Sequence, residues 1–138
     1  MKRSIFAVVA GLAVWMLVAT LLNFGLRAGL AGYALAERTM TFTLIMKVAR
    51  LILGALASLA AGAAAGLIAP SKTGPRWVLG AIILAVFIPV HVQLWAKFPV
   101  WYHLVFLGTL APLVAMGVTF TRTRLRTSPT EFGDKISV

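Results

Sequence analysis

His91 and His103 are the only two imidazoles in this chain, and both fall inside long apolar runs. Ionisable and amide groups are costly in hydrocarbon, so such residues there call for a functional hypothesis. Two imidazoles on neighbouring helices can ligate a haem iron or another metal, or pass protons near neutral pH. They can also simply bond to water, headgroups or backbone close to an interface. Asn23 and Arg50 lie at corresponding ends of two other apolar runs, with Gln93 and Lys47 nearby. Asn23, Arg50, His91 and His103 thus form a candidate outer polar cluster drawn from four different segments.

Other chemistries lack their residues. There is no cysteine, which removes thiolate catalysis, Cys-ligated zinc, iron–sulfur clusters and disulfides. The three carboxylates, Glu37, Glu131 and Asp134, all lie outside the apolar runs, so no membrane-embedded acid is available to trade protons against a substrate. No phosphate-binding glycine loop and no serine–histidine–acid set occurs. The chain therefore reads as non-enzymatic, with no metal site and no cofactor assigned, haem on His91 and His103 being the one candidate.

The elements that position these residues follow from composition. Apolar residues make up 61% of the 138 and charged residues only 12%, against roughly a quarter charged in soluble domains. A small water-soluble domain cannot bury so large an apolar fraction. About 20 apolar residues in helical form cross a bilayer, and four segments qualify: Ile5 to Leu26, Leu51 to Ala69, Trp77 to Trp95, and Val100 to Phe120. The fold class is an all-α integral membrane protein, a four-transmembrane-helix bundle over residues 1–120 with a basic tail over 121–138. Lys2-Arg3 followed by an apolar run and Ala34-Leu35-Ala36 resembles a signal peptide. The run is too long and the small residues too distant, so it reads as a retained span.

Prolines and a glycine in 69–76 mark one turn, and Lys97-Phe98-Pro99 a shorter one that makes the third and fourth spans antiparallel neighbours. His91 and His103 each lie about one turn from this connection, at similar depth. Trp77, Trp95 and Trp101 stand at span ends, as interfacial indoles do. Pro89 and Pro112 predict kinks. Starting the second span at Leu51 keeps Lys47 and Arg50 out of the hydrocarbon, and leaves 33–46 as either an interfacial helix or an extension of that span.

The net charge of +10 sits beside the apolar runs, which favours topology and headgroup contact over nucleic acid. One set of flanks carries Lys2, Arg3, Lys72, Arg76, Arg122, Arg124, Arg126 and Lys135; the other carries Arg27, Arg38, Lys47, Arg50 and Lys97. This eight-to-five asymmetry predicts both termini in the cytoplasm, in a bacterial plasma (inner) membrane. Arg122, Arg124 and Arg126 are candidate contacts for anionic headgroups.

Gly54, Ser58, Gly62 and Gly66 recur every four residues, with Ala57, Ala61 and Ala65 beside them. That face should admit a close helix, from this chain or from a second copy. By contrast Val78, Ile82, Ile83, Leu84, Val86, Phe87 and Ile88 make the third span read as lipid-facing on most sides. The functional expectation is a non-catalytic accessory, assembly or packing subunit, with the bilayer, further copies or other membrane subunits as partners. The alternatives are a small oligomeric channel or carrier built around the outer polar pocket, and a haem-binding redox subunit.

Overall fold

A computed structural model describes residues 2–69 and 74–126. Five helices occur there: α1 (Lys2–Gly29), α2 (Tyr33–Thr39), α3 (Leu44–Ile68), α4 (Gly74–Gln93) and α5 (Val100–Arg126), with no strand among the described residues. Four of them, all but α2, are long and apolar enough to cross a membrane. The shortest of the four, α4, has 20 residues, about 30 Å of helix and one hydrocarbon thickness. On α1 the large residues Ile5, Phe6, Val9, Met16, Leu17, Leu21 and Phe24 are all more than half exposed. Such a surface suits lipid and not water, and the architecture is consistent with a multi-pass membrane protein.

The four long helices form a ring in the order α1, α3, α5, α4. The closest approach in that ring is made by the small-residue face of α3. Gly54, Ser58, Gly62 and Gly66 are all buried. A Cβ added at Gly62 would strike the Val114 carbonyl oxygen, one at Gly66 would meet the Val118 backbone, and one at Gly54 would meet the Phe106 ring. Each pair is separated by the same number of residues, so α3 and α5 run parallel and in register. From the other side, a Cβ at Gly117 would strike the Leu59 carbonyl oxygen. The partner of this stripe is therefore a helix of the same chain. Ala57, Ala61 and Ala65 are also buried, and the Ala61 carbonyl lies beside Gly11 of α1.

Several boundaries differ from the sequence expectation. Helix α3 begins at Leu44 instead of Leu51, capped by the Thr43 hydroxyl, which accepts from the Met46 N–H at 3.3 Å. Lys47 and Arg50 consequently lie on α3 itself. Segment 33–46 is neither wholly interfacial nor wholly an extension: it holds α2, a short link and the first turn of α3. Gly32 precedes α2 with φ 76°, and Met40 closes it with φ 56°, both left-handed. Helix α5 runs to Arg126, past Phe120, which puts Arg122, Arg124 and Arg126 on its last two turns and not on a tail. The remaining tail, with Glu131, Asp134 and Lys135, and the turn residue Lys72 lie outside the described residues. Trp95 sits in the α4–α5 connection, not on the helix. The helices continue through Pro89 and Pro112.

Helix α4 is also less lipid-facing than its composition suggests. Leu79 and Ile83 are buried, and Phe87 packs on Trp15 at 4.9 Å and on Phe106 at 5.2 Å between ring centres. Its position between α1 and α5 gives it an inner stripe, while Val78, Val86 and Ile88 remain exposed.

Candidate functional site

The polar residues gather at the end of the bundle that carries α2. There the C-terminal turns of α1 and α4 meet the N-terminal turns of α3 and α5. Their hydrogen bonds form one directed chain. Arg50 Nη1 donates to the Tyr33 hydroxyl at 3.0 Å, and that hydroxyl donates to Asn23 Oδ1 at 3.0 Å. Asn23 Nδ2 donates to Glu37 Oε1 at 3.0 Å, and Arg27 Nε donates to Glu37 Oε2 at 2.7 Å. Asn23 can serve a phenol on one side and a carboxylate on the other in only one amide orientation.

Arg50 is held from three sides: the Tyr33 hydroxyl, Glu37 Oε1 at 3.7 Å, and the Phe42 ring, whose centre lies 4.8 Å from its guanidinium carbon. An arginine at a helix centre in hydrocarbon costs roughly 2.5–3.5 kcal/mol. Near the helix end, the Glu37 carboxylate and the Phe42 face offset part of that penalty. Glu37 lies outside the long helices. Its partial burial opposes ionisation, but the hydrogen bonds from Asn23 and Arg27 and the charges of Arg27 and Arg50 prevail. Together they hold its carboxyl below the usual range.

This network borders a cavity of about 380 Å³, within the range of small-molecule sites. Asn23, Arg27, Glu37 and Arg50 supply its polar wall, and Trp15, Phe87 and Phe106 its apolar one. Phe24 and Arg27, both exposed on α1, stand at its mouth. Deeper in, the Trp15 indole N–H donates to Ser58 Oγ at 3.2 Å, and that hydroxyl donates to the Gly54 carbonyl at 2.8 Å. A second cavity of about 390 Å³ adjoins Arg27, Glu37 and Arg50 on the side of Arg38, Phe42 and Phe98.

His91 and His103 stand behind the first cavity. Both are buried, and their Nδ1 atoms are 2.8 Å apart, one donating and the other accepting. Tyr102 and Phe106 line the cavity and also pack on His91, at 5.9 and 4.6 Å between ring centres. Trp95 stacks on His103 at 4.8 Å.

The four residues of the sequence-derived cluster therefore divide in two. Asn23 and Arg50 belong to the network on the cavity, and His91 and His103 form a separate pair one ring away. The members that sequence reasoning passed over are Arg27, Tyr33, Glu37, Tyr102 and Trp15. Glu37 offered a signal: it is the only acid before Glu131 in a strongly basic chain, placed just after the helix break at Gly32. Among the described residues no three His, Asp or Glu side chains come together as a metal site. Arg122 is half-buried at the opposite end of the bundle. Comparison of the chain with family models, curated proteins and solved structures finds no match.

Proposed function

We propose that this protein is a small, non-catalytic membrane carrier or binding protein for an amphipathic anion, held in the cavity between α1, α3 and α5. The observation that carries the reading is the charge balance on the polar wall. Arg27 and Arg50 face one carboxylate, Glu37, and Arg38 adds a further cation at the adjoining cavity. The polar wall thus keeps an excess positive charge beside an aromatic floor. A molecule with an anionic head and an apolar body satisfies both. With the termini in the cytoplasm, the site opens towards the outer leaflet of a bacterial plasma membrane.

The packing-subunit reading draws on the α3 stripe, and α5 already occupies that face. The haem reading draws on His91 and His103. Two axial ligands stand on opposite faces of a macrocycle, whereas these nitrogens touch each other, so the pair as arranged does not fit the group.

A long-chain alkyl sulfonate carrying a nitroxide tests the proposal in neutral-lipid nanodiscs. The probe should quench Trp15 saturably, measured as the difference from Trp15→Phe. Arg50→Gln should weaken binding about tenfold, the loss of one charge-assisted hydrogen bond. A nitroxide-labelled alcohol of the same length should not saturate. Equal quenching by the alcohol, or by the sulfonate in Arg50→Gln, would sink the reading.

A further inference from the structure

The histidine pair has no part in holding the anion, yet both rings are buried inside the bundle. His103 is 1% exposed and His91 4%. Aromatic rings box the pair in: Trp95 lies nearly parallel to His103 (14°) and Tyr102 nearly parallel to His91 (12°), with Phe98 and Phe106 closing other sides. The buried Nε2 of His103 has no hydrogen-bond partner. In the neutral pair this atom is either an N–H without an acceptor or a lone pair without a donor, and either is a desolvation cost left uncompensated. A purely structural role would be met at less cost by two apolar residues.

One added proton changes this arrangement without breaking it. It goes to an Nε2, and the resulting imidazolium keeps its Nδ1–H pointed at the other ring's Nδ1 lone pair. The 2.8 Å separation is that of a charge-assisted bond. The stacked faces of Trp95 and Tyr102 are suited to a cation. A second proton would make both Nδ1 atoms donors and force the rings apart, so the pair takes up one proton and no more. The proton comes from bulk water and returns to it, and only an N–H bond is made or broken.

We propose that His91 and His103 form a single proton-binding site coupled to the anion cavity, so that a proton on the pair and an anion beside Arg50 favour one another. This rests on the anion-binding reading above. The coupling runs through Tyr102 and Phe106, which belong both to the cavity wall and to the box around His91. Arg50 repels a proton on the pair while the cavity holds no anion, and an anion beside it cancels that repulsion. The charged and titratable groups around the site are Arg50 on α3, Tyr33 and Glu37 on α2, Arg27 on α1, Tyr102 on α5 and Lys97 in the connection. Glu37, outside the spans, is held below the ordinary carboxylate range.

The test measures the Kd of the nitroxide alkyl sulfonate, which stays ionised throughout, between about pH 5 and 8, the range in which an ordinary imidazole changes charge. In the unaltered protein the Kd should tighten as pH falls, by up to about tenfold per pH unit, the limit for one linked proton. His91→Gln and His103→Gln should flatten the dependence while retaining saturable binding. Because a variant can fail to fold, a second measurement uses the unaltered protein: adding the sulfonate near neutral pH should move the histidine imidazole 15N resonances to imidazolium positions. A flat Kd with saturable binding overturns the coupling and leaves the anion site standing. An equally steep Kd in a folded histidine variant, or unmoved 15N resonances, overturns it too. Absence of saturable binding at every pH removes the anion reading and the coupling with it.

Discussion

The Trp15 indole N–H and the Ser58 hydroxyl lie 3.2 Å apart and join α1 to α3 beneath the cavity. Ser58 is fully buried, and its own proton is given to the Gly54 carbonyl. One hydroxyl thus satisfies an indole and fixes the depth at which α1 packs on α3. Interhelical hydrogen bonds in membranes average only about 0.6 kcal/mol and reach about 1.7.

Ser58→Ala should therefore destabilise the protein by about 1 kcal/mol, since it leaves the Trp15 N–H without its partner. A double-mutant cycle with Trp15→Phe, read from unfolding in detergent, isolates the bond. A coupling energy under ~0.3 kcal/mol would mean that the two groups are neighbours and nothing more.

Gly62→Leu should be far more damaging. A Cβ there overlaps the Val114 carbonyl oxygen and approaches its Cα, and backbone cannot step aside as a side chain can. We expect a loss above about 3 kcal/mol or failure to fold, and the same for Gly117→Leu across the contact. Ala85→Leu, at an exposed site on α4, should stay within about 0.5 kcal/mol. Thermal stability in detergent decides it: similar melting for Gly62→Leu and Ala85→Leu would mean that α3 and α5 do not pack closely.

Much of this architecture was legible in the residues. The four long helices followed from apolar run length, because a bilayer admits few alternatives. The Gly62 stripe announced a close contact, though not that α5 would provide it. The convergence of His91 and His103 followed from one short turn. Arg50 was misplaced for a physical reason. Its insertion cost is legible in the sequence, whereas the groups that offset it, Tyr33, Glu37 and Phe42, come from a segment whose fold back over the bundle leaves no periodic signal. Tyr102 was likewise invisible, since an aromatic residue at a helix start reads the same whether it faces lipid, a cavity or another ring.

Glu37 makes stability depend on pH in a definite sense. Its carboxyl is held below the ordinary value of 4.5 when folded. The stability it contributes is therefore fully present above that value and lost as pH falls through its depressed folded value. The unaltered protein should melt progressively earlier as pH drops below 4.5, and Glu37→Gln should melt early at neutral pH with a flatter acid response. Parallel melting curves for the two proteins through the acid range would show that the carboxylate contributes nothing through Asn23 and Arg27.

Orientation is the remaining question. The sequence places eight lysines and arginines on one set of flanks and five on the other. Arg50, one of the five, is not a loop charge: it lies within α3 and is held by Tyr33 and Phe42. Arg27 is engaged too, but its pairing with Glu37 is no reason to discount it, because retention follows lysine and arginine and not net charge. On the other flanks Arg76 lies within α4 and Arg122, Arg124 and Arg126 within α5, so the eight-to-five count stands unchanged, and it predicts both termini in the cytoplasm. Alkaline phosphatase and green fluorescent protein fusions at Val138 should report a cytoplasmic end, and insertions in the 96–99 turn the opposite face. A C-terminal phosphatase fusion active on its own would invert the molecule and turn the Arg27–Glu37–Arg50 cavity towards the cytoplasm. Access to the sulfonate probe from one side of sealed vesicles gives an independent check: it should reach Trp15 from the face that carries the 96–99 turn.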